Sequence, residues 1–217
     1  MDRVLEDAEQ LLVAYRTDDG LRYLDFQPST NPHRVMPEDL AVTILINSRV
    51  GAAAFKSVQD RAGELGLDRL PSVSLEETTP EERAQVADVI ATMTSWRGFA
   101  ASVATKILHK KRPALIPILD NEAIFGAYMN PRWPAHRASQ DSVYARSRIG
   151  EALEWITTDL RRADNAATWR GLSELEPTRS RTELFDMVWW VYFRSVQSPQ
   201  AARNDSVAPD RLSRPAG

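Results

Sequence analysis

The chain has 217 residues and no cysteine, which removes disulfides, thiolate nucleophiles and cysteine-ligated metal or iron–sulfur sites and fits a reducing, cytoplasmic setting. Hydrophobic residues make up 43% and charged residues 26%, the balance of a soluble globular protein, and no apolar run approaches the roughly 18 residues that a membrane span needs. The net charge of −3 argues against a uniformly basic nucleic-acid-binding domain, but the charge is unevenly spread: residues 1–88 hold 17 acidic against 9 basic side chains, and residues 89–149 hold 9 basic against 3 acidic.

In chain order, Asp2 to Arg16 predicts a helix, with Val4, Ala8, Leu11, Leu12 and Tyr15 at helical spacing. Its acidic, amphipathic start is unlike a signal peptide. Arg22 to Pro37 is expected to be irregular, because Pro28, Pro32 and Pro37 interrupt it. Pro37-Glu38-Asp39 opens a buried helix through Leu40, Val42, Ile44 and Leu45. A further segment runs from Gly51 to Leu65 and stops at Gly66. Thr79-Pro80-Glu81-Glu82 is a helix start with a threonine cap, a proline in the first turn and acids that offset the helix dipole. That helix reaches about Thr94, with Val86, Val89, Ile90 and Met93 inward.

Beyond it come a turn with Gly98, a small-residue helix from Ala100 to Lys111, a halt at Pro113, an apolar stretch from Leu115 to Leu119, and Asp120 at the next helix start. A short helix carries Ile124, Phe125 and Tyr128, and Asn130 to Ala135 is a loop. Arg148 to Arg162 and the aromatic-rich Arg181 to Ser195 are helices, and residues 197–217 have the composition of a disordered tail. The expected fold is all-α: one two-lobed helical domain over residues 1–196, a globular bundle of about eight helices without internal repeats.

The stretch from Ser95 to Ile124 concentrates the chemistry. No acidic residue lies between Asp88 and Asp120, while Arg97, Lys106, Lys110, Lys111 and Arg112 all fall there, among them three of the protein's four lysines. A turn at Gly98 lets backbone amides approach a ligand, and the helix start after it favours an anion such as a DNA phosphate. Helical spacing sets Lys106 and Lys110 on one side with Ser102, Thr105 and His109, so this side is expected to face phosphate. Asp120 is either a plain N-cap or a capping residue that also works in catalysis.

The order of helix, hairpin, helix and an extended segment ending in Ile116-Pro117-Ile118-Leu119-Asp120 resembles the core of the helix-hairpin-helix superfamily of DNA glycosylases over residues 84–129. The run from Lys106 to Asp120 is also similar to a family of uncharacterised actinobacterial proteins. In the glycosylases a glycine–apolar–glycine hairpin holds the DNA backbone and an aspartate at the next helix start serves catalysis. Placing Gly98 on the second hairpin glycine sets Trp96 in place of the first, and Ala100 where bifunctional members have a catalytic lysine. The resemblance implies a monofunctional, cofactor-free enzyme that uses water, with Asp120 stabilising positive charge on the sugar after a base is flipped from duplex DNA.

On this view Arg97, Gly98, Lys106, Lys110 and Lys111 contact the backbone, with Lys106 also an alternative nucleophile. Trp96, Asp186 and Trp190 are candidates for the base pocket, and Arg132, Trp133, His136 and Arg137 form a basic–aromatic loop that could touch DNA. No metal site is expected, since His33 and His136 lack ligand spacing, and the protein is expected to be a monomer off the membrane. Two other functions fit the same residues: a non-catalytic DNA-binding module with Asp120 as a cap alone, and a helical protein-interaction domain.

Overall fold

The computed structural model of the chain describes residues 7–17, 23–27, 29, 31–45, 50–129 and 145–197. Among these residues there is no strand, and the elements are α-helices, one π-helix and short 3-10 turns. The α-helices are α1 (Ala8–Thr17), α2 (Val42–Leu45), α3 (Ala52–Arg61), α4 (Pro80–Thr94), α5 (Ala101–Lys111), α6 (Arg146–Arg161), α7 (Ala166–Leu175) and α8 (Arg181–Gln197). The π-helix spans Ala123–Tyr128. The all-α expectation holds. The loop from Asn130 to Ala135, the residues Arg132, Trp133, His136 and Arg137, and the tail beyond Gln197 lie outside the described residues.

Local chemistry explains the helix starts. At α4, Thr79 accepts from the Glu82 amide at 3.2 Å, and the Glu82 carboxylate accepts from the Thr79 amide at 2.8 Å, with Pro80 next in line. Ser180 and Glu183 form the same reciprocal pair at the start of α8. Gly66, at φ +61°, ends the turn that follows α3.

The buried side chains form one connected core. α4 packs along α6, α8 along α1, and α5 lies against α4 and α2. Arg83 fastens the first pair: only 5% exposed, it reaches the Thr78 carbonyl at 2.6 Å and Glu154 of α6 at 2.8 Å. α7, which sequence spacing did not foretell, is held by Trp169 and Leu172, both fully buried. Each contributes about 1.5–3 kcal/mol, enough to anchor one short helix against α1. No helix among the described residues is long and apolar enough to cross a membrane.

Candidate functional site

The segment from Arg112 to Asp120 is mostly buried yet joins no sheet, so its backbone polar groups need other partners. Side chains provide them. Thr105 accepts from the Leu119 amide at 3.0 Å, His109 Nδ1 donates to the Ile116 carbonyl at 2.7 Å, and Thr182 donates to the Ala114 carbonyl at 2.9 Å. Both oxygens of Asp186 accept from the Ile118 amide, at 3.1 and 3.3 Å. The segment is thereby fixed to α5 on one side and α8 on the other, and Asp120 is delivered at its end.

Asp120 divides its two oxygens. Oδ1 accepts from the amides of Glu122 and Ala123 at 2.9 and 3.1 Å, an N-cap for the turn that follows. Oδ2 accepts from the Ser102 hydroxyl at 3.0 Å and lies 3.9 Å from Lys106 Nζ. Lys106 Nζ in turn donates to Ser102 Oγ at 3.0 Å, so ammonium, hydroxyl and carboxylate form a short chain. Immediately beyond, the backbone widens into the π-helix, with i→i+5 bonds from Phe125 to Asp120 and from Ala127 to Glu122. Such insertions concentrate at functional sites. Trp189 of α8 donates to the Ala123 carbonyl at 2.9 Å and Tyr128 to Asp159 of α6 at 2.7 Å, which hold the π-helix in place.

Around Asp120 Oδ2 lies a cavity of about 270 Å³. Tyr15 of α1, Tyr23 and Leu24, Leu45 of α2, and Ile118, Ala123 and Ile124 line it, together with Lys106 of α5 and Asp186, Trp189, Trp190 and Arg194 of α8. Aromatic and aliphatic walls carrying a few converging polar groups are the usual makeup of a small-ligand site, and the volume sits at the small end of such sites, which begin at about 300 Å³.

Burial shapes the electrostatics. Desolvation lowers the Lys106 pKa below the ordinary lysine value, against the pull of Asp120 and Asp186, and the ammonium lies 5.9 Å from the Trp190 ring centre. Desolvation also raises Asp186 well above the usual carboxylate range, with Glu183 adding to the effect and the Ile118 amide and Lys106 opposing it. His109, 3.5 Å from Asp186, is fully buried and drops to about 4 through desolvation, so it is neutral near pH 7 and brings no cation to that carboxyl.

The structure thus brings Lys106, Asp120, Asp186 and Trp190 to one cavity, from three separate segments of the chain. Other candidates land elsewhere. Lys111, expected on the phosphate-facing side, is 3% exposed and pairs at 2.5 Å with Asp39, itself fully buried. Lys110 is 6% exposed and stacks 4.3 Å over the Tyr23 ring, and burial lowers its pKa to about 8. His109 is likewise interior and not on a solvated face. Arg112 donates to the carbonyls of Leu67 and Leu70. Helical spacing alone could not tell that the last turn of α5 is enclosed on all sides. Trp96 is core, 1% exposed, with Phe99 edge-on at 6.0 Å and Arg61 over its ring, and it does not line the cavity.

Arg97 and Gly98 are exposed, on a turn that contributes nothing to the cavity wall. Gly98, at φ +96°, is required by packing: a Cβ there would stand 3.1 Å from Ala54 Cβ and 3.2 Å from its backbone nitrogen. Ala100 precedes the first turn of α5, and the side chain that meets Asp120 is that of Ser102. Within the hairpin resemblance the lysine position therefore shifts from Ala100 to Ser102. The available signal was the placement of Ser102 four residues before Lys106 on the polar stripe. Among the described residues, no group of three or more histidine or acidic side chains could hold a metal ion.

A family model described as a family of unknown function (DUF6308) matches residues 8–192. No curated protein and no solved structure matches the chain.

Proposed function

The chain belongs to DUF6308, a family of unknown function, and from its cavity we propose that it is a monofunctional DNA glycosylase, hydrolysing the bond between a modified base and its deoxyribose. The observation that carries this reading is Asp120, with one oxygen tied down as a helix cap and the other turned to an aromatic-walled cavity beside Ser102 and Lys106. A module that only gripped the DNA backbone would have no use for such a carboxylate.

The chemistry follows from the geometry. A base extruded from the duplex enters the cavity against Trp190. As the C1′–N bond breaks, its electron pair leaves with the base and positive charge builds on the sugar. The fixed carboxylate of Asp120 stabilises that charge without having to reorganise. Water then adds at C1′, its proton passing to Asp120 Oδ2, while the Lys106 ammonium, its pKa lowered by burial, supplies a proton to the departing base. Ser102 is a positioning residue between the two. The phosphate backbone meets the exposed Arg97–Gly98 turn and the start of α5, whose first amides have no side-chain cap. Lys110 and Lys111, being enclosed, take no part.

The test is release of free base, and of alkali-labile sites, from duplexes carrying a panel of modified bases. Activity lost in Asp120→Asn is the expected result; activity intact in that variant sinks the mechanism. Borohydride trapping of a covalent adduct would instead make Lys106 a nucleophile.

A further inference from the structure

The polar groups facing the cavity are matched to a particular kind of ring. Asp120 is already satisfied, by two amides on Oδ1 and by a hydroxyl and an ammonium at Oδ2. It offers a ring little unspent negative charge. Asp186 accepts from the Ile118 amide, and the nearby His109 directs its Nδ1 proton to the Ile116 carbonyl. The carboxyl keeps its own proton in this buried setting, and that proton is a donor for the cavity. Lys106 supplies further donors, and its ammonium occupies the neighbourhood of the Trp190 face on which a ring would stack. A planar guest therefore meets two donors and a fixed positive charge.

We infer that the cavity is built for a ring with a carbonyl–imide edge, such as an oxidised or deaminated base, and is set against a positively charged ring such as an N-alkylated base. The carbonyl oxygens accept from Lys106 and Asp186. A cationic ring would stack beside an ammonium and turn its own donors toward donors. This specificity presupposes the excision chemistry proposed above for its biological substrate, but it rests on the cavity alone for its physics.

The experiment uses small rings, so that it reads the cavity and not catalysis. Dissociation constants are measured by ligand-observed NMR for uracil, hydantoin and the permanently cationic 1-methylnicotinamide, on the full chain. The two imides are expected to bind at least about tenfold more tightly than the cation, a ratio worth one charge-assisted hydrogen bond. Lys106→Met should shrink that ratio to within about threefold. Asp186→Asn, which keeps both an acceptor for Ile118 and a donor for the ring, should stay within about threefold of the parent protein, whereas a carboxylate role would cost it tenfold or more. Equal or tighter binding of the cation, failure of all three rings to bind, or loss of imide binding in Asp186→Asn overturns the inference. Imide preference without base release from DNA would leave the specificity standing and remove the glycosylase; base release only from alkylated DNA would do the reverse.

Discussion

Replacing Asp120 by asparagine keeps an acceptor for the amides of Glu122 and Ala123 and removes the charge beside Ser102 and Lys106. Base release should fall by about a hundredfold or more, while the midpoint of urea unfolding hardly moves. Asp120→Ala should lose the same activity and, in addition, about 1 kcal/mol of stability for the missing cap. The pair of variants separates the two duties of one side chain. Lys111 has a different character. Truncating it to alanine strands Asp39 at zero exposure beside an amide from Met36 and the hydroxyl of Ser29. Such a broken buried pair costs about 3–5 kcal/mol, so Lys111→Ala should unfold at markedly lower denaturant. Were it a surface phosphate contact, stability would not change.

At the scale of elements, the last turn of α5 makes a pH-dependent contribution. The folded-state pKa of His109, about 4, lies below its unfolded value of about 6.5, so between these limits the unfolded chain binds more protons. Its contribution to stability is therefore present above about pH 6.5 and is lost as pH falls toward 4. Asp186 acts in the opposite sense, because it retains its proton when folded. Comparison with His109→Asn isolates the histidine: the parent protein should lose stability relative to that variant on acidification from pH 7 to 4.5. The turn before α5 answers to sterics. Gly98→Ala should cost on the order of 1–2 kcal/mol for its positive φ, with more from the contact with Ala54, and Ala54→Gly in the same chain should restore part of it. What could be read from the sequence at this scale was whatever is local. The Thr79–Glu82 box, the turn at Gly98, the start of α5 and the cap at Asp120 each depend on neighbours within a few residues. The enclosure of Lys110 and Lys111 was not legible, because Tyr23 and Asp39 lie far back in the chain. α7 escaped notice because only Trp169 and Leu172 mark its inner face.

For the whole molecule, the cavity is a product of chain return. α8 packs along α1, which brings Tyr15 opposite Trp190, and the extended segment fills the space between α5 and α8. From sequence, Asp186 and Trp190 could be singled out as polar interruptions four residues apart on an apolar helix, but not their meeting with Asp120. Electrostatics at this scale also differ from what the linear charge map suggested. With Lys110, Lys111 and Arg112 turned inward, few cations of that stretch remain for DNA. Binding to unmodified duplex should be weak, and its salt slope shallow, with Arg97→Ala reducing the slope by about one unit. Titrations at several salt concentrations would measure this, and a steep slope in Arg97→Ala would place the phosphate contacts elsewhere.

The π-helix after Asp120 has one more residue in its turn than an α-helix would allow. Loss of a single codon anywhere within 123–128 could therefore be absorbed by tightening to ordinary helix, with every flanking helix kept. The side chains beyond the deletion would swing by about 100°, carrying Ile124 from the cavity wall and the Ala123 carbonyl from Trp189. Reading-frame-preserving deletions at this point are thus a natural route from a working pocket to a folded but inert descendant, one that overall helix content would not betray.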